Sequence, residues 1–449
     1  MPLDELLSMS SEAQSVFAVQ QGKRPSLCAD FSWTFVGNAI YAGGQFAMLM
    51  LLAKLVPPEL VGQYALGLAV VYPVMMLANL QLRAVMTSGV RQQIHFGHYL
   101  SLRLLTTSLA LAIIFAITQI LGYRWEMTVV AMMVGIAYAI ETISDVYYAR
   151  LQLHDRMPEI SKSMIARALL SVLGLGVTTY VSGNLLWGLA SVVLARAMVL
   201  FGYDICERTH GLGEHGERLS RSEALTPRFE LSVQRKLLWL SLPLGIVVLL
   251  TSLNSNVPSY FIKHALGERD LGIFAAIGFM ISVGNMAVVS LGQSAFTRLA
   301  RSHASGNLVT FGSLLGKLLA FGAMLGVCGM MVSRLAGREI LTILFRPEYA
   351  ERADLLPWIM AAGGVLFMAQ FLGFGMTAAG YYNSQVVLNI LANLSLFAAC
   401  YWLVPRQGLL GAAFAMLIAA SVQLAGSALV LVIGMRRHTQ VRAEMIEAT

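Results

Sequence analysis

The chain reads as an all-α integral membrane protein, with twelve transmembrane helices in two pseudo-symmetric six-helix lobes around a central cavity. Three observations predict this. The hydrophobic fraction is 57% and the charged fraction 12%, about half the ~25% charge of a soluble domain. The apolar residues fall in runs of about 20, enough to cross a ~30 Å hydrocarbon core at ~1.5 Å per residue. Finally, KLVPPELVGQYALG (Lys54–Gly67) recurs in outline as HALGERDLGIFAAI (His264–Ile277). Gly62 matches Gly272, Tyr64 matches Phe274 and Ala65 matches Ala275, at an offset of 210 in a chain of 449 residues. Two similar spanning halves are the usual build of a secondary transporter, with its path between them.

The elements follow in order. Residues 1–30 carry charged and polar positions throughout, so they are not a cleavable signal peptide. Leu3, Leu6, Leu7 and Val16 can share one face of a short interfacial helix on the cytoplasmic side. The N-lobe is expected over 31–205, with spans at 31–53, 64–88, 101–121, 127–148, 160–182 and 185–205. Next comes the longest polar interruption, 206–236, whose charge and lack of apolar period mark a solvated cytoplasmic linker. The C-lobe is expected over 237–434, with spans at 237–261, 271–295, 309–332, 355–379, 384–404 and 409–434. Residues 435–449 form a basic cytoplasmic tail. Mean hydropathy over the chain is +0.69.

The net charge of +7 sits in the loops between apolar runs, so it belongs to membrane topology rather than to nucleic acid. With the N-terminus in the cytoplasm, inside segments hold roughly eighteen Lys and Arg and outside segments about nine. This two-to-one bias places both termini and the central linker in the cytoplasm. Small residues and prolines punctuate the spans, among them Gly43, Gly44, Pro73, Pro243, Gly363 and Gly364. They permit close helix approach and flexible bundles.

Charged residues inside spans are the candidate functional groups, because a charge at the bilayer centre costs several kcal/mol unless it faces protein or water. The cations are Arg83, Arg167, Arg196 and Lys317, and the acids are Glu141 and Asp145. Arg196 is the deepest. Arg83 and Asp145 lie close enough to the cytoplasmic ends to snorkel. Glu141 and Arg167 sit at matched depth on antiparallel neighbours, which predicts an ion pair. Glu141 and Asp145, four residues apart on one helix face, are candidates for proton or ion coupling. The cations outnumber these acids, so a net-positive cavity that draws an anionic substrate is expected, with Arg196 and Lys317 facing it from opposite halves.

The four cysteines, Cys28, Cys206, Cys328 and Cys400, are far apart, and the eight histidines are mostly in loops. Neither set has metal-ligand spacing, and no P-loop, nucleophile elbow or glycine-rich dinucleotide turn is present. No cofactor or metal and no enzyme activity are expected. Any pumping would draw on an ion gradient or the substrate's own.

Four ordered blocks resemble a known family: Leu52 to Arg91, Leu242 to Phe279, Phe345 to Gln385 and Val404 to Val422. They are similar to the polysaccharide-transporter branch, the Wzx-type O-antigen and exopolysaccharide flippases, of the multidrug/oligosaccharidyl-lipid/polysaccharide flippase superfamily. The resemblance covers most of the chain. It departs at Pro57–Pro58, where many members have glycine and proline, and at Thr297–Arg298, where many have proline before the basic residue. Pro258 stands where many carry an aspartate, so no ion site is borrowed there. The resemblance implies alternating-access transfer of an undecaprenyl-diphosphate-linked oligosaccharide from the cytoplasmic to the periplasmic leaflet of the bacterial inner membrane. It implies as partners that lipid-linked saccharide, membrane lipids, and a polysaccharide polymerase with other assembly proteins. A drug antiporter of the same superfamily would need acids to dominate its cavity. A polymerase or ligase would need a large catalytic loop outside the membrane, and the outside segment 333–354 is short.

Overall fold

A computed structural model describes residues 27–87, 94–154, 156–205 and 226–447, with side chains over 32–435. Leu3, Leu6, Leu7 and Val16 and most of the expected linker lie outside the described residues. Among the described residues, twelve helices are long and apolar enough to cross a membrane: α1 (Ser32–Leu55), α2 (Pro58–Thr87), α3 (Phe96–Ile120), α4 (Trp125–Leu153), α5 (Met157–Ser182), α6 (Leu185–Ile205), α7 (Leu231–Ala265), α8 (Glu268–Ala304), α9 (Leu308–Leu344), α10 (Leu355–Ala378), α11 (Tyr382–Gln407) and α12 (Leu409–Met435). The chain is a multi-pass membrane protein. Several helices run past the expected limits. α7 already begins at Leu231, inside the expected linker, and the helix of α12 continues to Glu447.

Local chemistry sets the turns. Pro58 occupies the first turn of α2, where its missing N–H costs nothing. Gly183 ends α5 at φ +64°, and Asn184 caps α6 by accepting from the Leu186 N–H at 2.9 Å. Asn307 caps α9 in the same way, from Thr310 N–H at 3.0 Å. α2 breaks at Leu80 and Gln81, both at φ 50°, a conformation that costs non-glycine residues energy. The freed carbonyls are met by Arg103, which is fully buried and donates to Asn79 O at 2.8 Å. Arg103 is therefore part of the helix break.

The two halves pack alike. In the first, α1 packs on α2 and α5, α2 on α3 and α4, α3 on α4, α4 on α5 and α6, and α5 on α6. The second half repeats each pairing: α7 on α8 and α11, α8 on α9 and α10, α9 on α10, α10 on α11 and α12, and α11 on α12. Between halves, α2 packs along both α7 and α8. The sequence repeat sits on this seam. A Cβ on Gly62 would overlap the Glu268 carbonyl oxygen, and one on Gly272 would overlap that of Pro58. The two glycines thus let α2 and α8 cross backbone to backbone. Around the crossing, Gln63 donates to Glu268 at 2.9 Å, Lys263 pairs with Glu268 at 2.6 Å, and Arg269 lies 3.8 Å from Glu59. Part-exposed pairs of this kind contribute about 0–1 kcal/mol each, so the backbone approach rather than the charges makes the seal.

Candidate functional site

The buried charges collect in the N-lobe. α6 brings Arg196 to α4, where it donates to Glu141 Oε2 at 2.7 Å and to the Ala137 carbonyl at 3.1 Å. Tyr41 of α1 donates its hydroxyl to Glu141 Oε1, and Gln45 donates to the Tyr41 oxygen at 2.8 Å. The guanidinium also lies over the Tyr138 ring, 5.3 Å from its centroid. Arg196 is buried at 3% exposure, whereas the Glu141 side chain keeps 25%. The carboxylate therefore stands between the arginine and open space. Behind it is a cavity of about 20 Å³ bounded by Met48, Tyr64, Tyr138, Leu175, Leu189 and Arg196, room for a single water.

The expected Glu141–Arg167 ion pair does not form. Arg167 instead donates to Asp204 Oδ2 at 3.0 Å. Matched depth fixed the height of the two groups but not the side of each helix that they occupy. Asp204 lies in a π-helical turn, Leu200–Ile205, that ends α6. The wider turn brings its carboxylate back to α5, where Ser163 donates to Oδ1 at 2.6 Å and itself meets the Tyr148 hydroxyl at 2.6 Å. Neither member of this pair has more than 2% side-chain exposure. Asp204 went unnamed among the sequence candidates, although its place inside the sixth apolar run was a signal that could have found it.

A third group sits where α2 restarts after its break. Arg83 donates to Gln152 at 2.9 Å and pairs with Asp145 at 3.4 Å, and Asp145 also lies 3.9 Å from Arg103. The Arg83 side chain is 31% exposed. Arg83, Arg103, Arg167 and Arg196 each lie within 4.0 Å of one of three carboxylates, Glu141, Asp145 and Asp204.

Lys317 does not join them, which corrects the expected pairing with Arg196 across one path. It is exposed on α9, about 100° around the helix from Leu318. α9 packs through Phe311, Leu315, Leu318, Gly322 and Gly326, while Lys317 shares the outer face with Met324, Met331 and Leu335. No group of three or more His, Cys, Asp or Glu suited to a metal occurs among the described residues.

Chemically, the row offers carboxylates that can take a proton and guanidinium groups that can hold an anion once a carboxylate is neutralised or displaced. Comparisons with known proteins fit this. The chain is 25% identical over 397 residues to the capsular polysaccharide biosynthesis protein CapF of Staphylococcus aureus, covering 88% of this chain and 96% of that one. Its fold is similar to an inward-facing multidrug resistance MATE family transporter of the MOP superfamily, with a TM-score of 0.70 at 12% identity, covering 91% of this chain and 99% of that one. It is also similar to the lipid II flippase MurJ in an inward closed conformation, with a TM-score of 0.68 at 10% identity, covering 92% and 91%. A polysaccharide biosynthesis protein family model matches residues 27–303, well over half of the sequence. Twelve helices, two like-packed lobes and this match together place the chain in the polysaccharide biosynthesis protein family, the polysaccharide-transporter branch that its four sequence blocks resemble.

Proposed function

We propose that this protein is a flippase that moves an undecaprenyl-diphosphate-linked oligosaccharide from the cytoplasmic to the periplasmic leaflet by alternating access, for surface polysaccharide synthesis. The observation that carries this is the glycine seam, where two like-packed lobes meet backbone to backbone at the α2–α8 crossing. With both termini and residues 206–236 cytoplasmic, as the Lys/Arg bias favours, the glycine crossing lies at the periplasmic end and the path loads from the cytoplasm. The family match and the relative that serves capsular polysaccharide support the substrate class. The fold likeness supports the mode of movement.

In this mechanism Arg83, the most exposed cation of the row, meets the diphosphate first. Arg196 is held by Glu141 until the carboxylate takes up a proton or gives way to the incoming anion. Arg167 stays locked to Asp204 and shapes the wall. The coupling groups are then Glu141 and, through its bond to Arg83, Asp145.

The test is complementation. Expressed in a bacterial strain lacking its own flippase but making a matching lipid-linked saccharide, the chain is expected to restore surface polymer. Membrane-inserted protein with no polymer, and with the lipid-linked precursor still in the inner leaflet, would overturn the assignment. Orientation has its own check. Alkaline phosphatase fused after Thr449 is expected to be inactive, and strong activity would reverse the topology.

A further inference from the structure

A second charged cavity lies away from the N-lobe row, at the sealed end of the C-lobe. It measures about 500 Å³ and lies between the last turns of α9 and the start of α10. Arg334 and Arg338, one turn apart on α9, line it together with Glu339, and Asp354 and Trp358 close it from α10. Met330 and Pro357 give it an apolar floor, and Leu335 borders it from outside. Its two guanidinium groups and two carboxylates make no ion pair with one another within 4.0 Å, although they face one space. All four are exposed, so the space is an open groove, and charges of balanced sign around it suit a ligand that itself carries both signs.

Position narrows the ligand further. α9 has 37 residues, about 55 Å at ~1.5 Å per residue, so it overruns a ~30 Å hydrocarbon core. Its axis changes at Ala336, where φ and ψ leave the helical region, between the two arginines. Below that point Met331 and Leu335 are exposed at 59% and 82%, as lipid-facing residues are. Trp358 is 36% exposed and rests edge-on against Phe414, with ring centroids 4.8 Å apart. An indole at the junction of apolar and charged surface is the usual mark of the headgroup layer. The seam lies at the same end: Arg269 and Asp270 of α8 reach Glu348 at 3.7 Å and Arg352 at 4.0 Å, in the segment that joins α9 to α10.

We propose that this cavity is a binding site for a zwitterionic aminophospholipid, with Arg334 and Arg338 holding the phosphate and Glu339 and Asp354 the ammonium. The acyl chains run down the Met331–Leu335 face, and Trp358 marks the depth of the glycerol. The site is separate from the Arg196 and Arg83 groups, and it holds whether or not the saccharide assignment above is correct.

The experiment is lipid titration of the purified full-length protein, read by native mass spectrometry. Dioleoyl-phosphatidylethanolamine is expected to bind about tenfold more tightly than dioleoyl-phosphatidylglycerol, the difference made by one well-placed charged hydrogen-bonding group. Arg334→Ala with Arg338→Ala should lose the bound phosphatidylethanolamine. Glu339→Gln with Asp354→Asn should keep lipid binding but lose the preference, taking phosphatidylglycerol equally. Equal binding of both lipids by the unaltered protein overturns the proposal, and that comparison needs no variant to fold. Retention of the preference in both double variants overturns it too. So does displacement of the lipid by millimolar inorganic phosphate, which would mark a site for phosphate alone.

Discussion

Arg196→Ala is expected to abolish surface polysaccharide in the complementation assay. It removes the guanidinium that holds Glu141 at 2.7 Å and leaves that carboxylate with Tyr41 alone. Removing one member of a buried ion pair typically costs about 3–5 kcal/mol, because the other charge stays behind uncompensated. Loss of function by itself would therefore be ambiguous between a broken fold and a broken mechanism. Two further variants separate these. Arg196→Lys keeps the charge but ends about one atom short of the Nη1 that donates to both Glu141 and the Ala137 carbonyl, and it loses the planar group over Tyr138, so it should retain the protein and lose most of the polymer. Arg196→Met combined with Glu141→Met replaces the pair by apolar side chains of similar size, which is often neutral or stabilising. That double variant should recover the thermal midpoint in detergent and still make no polysaccharide. If it restores polymer, the pair is scaffolding and takes no part in transport.

Gly62→Val and Gly272→Val should each eliminate transport. At both positions a side chain would overlap a backbone carbonyl of the opposite lobe, Glu268 or Pro58, and a carbonyl cannot move aside as a flexible side chain can. The lobes must then separate at this end, the seal leaks, and the state that loads from the cytoplasm is lost. Gly43→Ala is the control, since a Cβ there meets nothing within 4 Å. It should support wild-type polymer, with a small gain in helix stability of about 0.5–1 kcal/mol. Accessibility of a cysteine placed at Gln63 to a membrane-impermeant thiol reagent reports the seam directly. Labelling should be slow in the parent and faster when Gly272→Val is added. Equal labelling in both backgrounds would show that the glycines do not hold the lobes together.

Much of this molecule was legible before any coordinates. The twelve apolar runs defined the spans because a helix is the structure that satisfies its own backbone in lipid, and because ~20 residues are needed to cross. The repeat around Gly62 and Gly272 marked the pseudo-symmetry, and the structure puts both glycines at one crossing. Depth along a span also singled out Arg196, which is buried, and Glu141, which is half-buried. Depth is a one-dimensional coordinate, however. It could not say that Glu141 turns towards Arg196 on α6 while Arg167 on α5 turns towards Asp204.

Partner choice depends on the rotation of each helix about its axis, which packing sets. It also depends on departures from α geometry, which local sequence marks poorly. The π turn at Leu200–Ile205 returns Asp204 to the lobe interior, and the break at Leu80–Gln81 creates the carbonyls that Arg103 serves. Lys317 shows the converse: a cation inside an apolar run, placed by the packing of α9 on its outer face, where the head of a flexible stem can reach the interface. Apolar length and repetition along the chain are enough to set the lipid surroundings, the number of spans and the two-fold build. Which charge meets which is left to the packing, because helix rotation and close backbone approach choose the partners and neither can be read from apolar length.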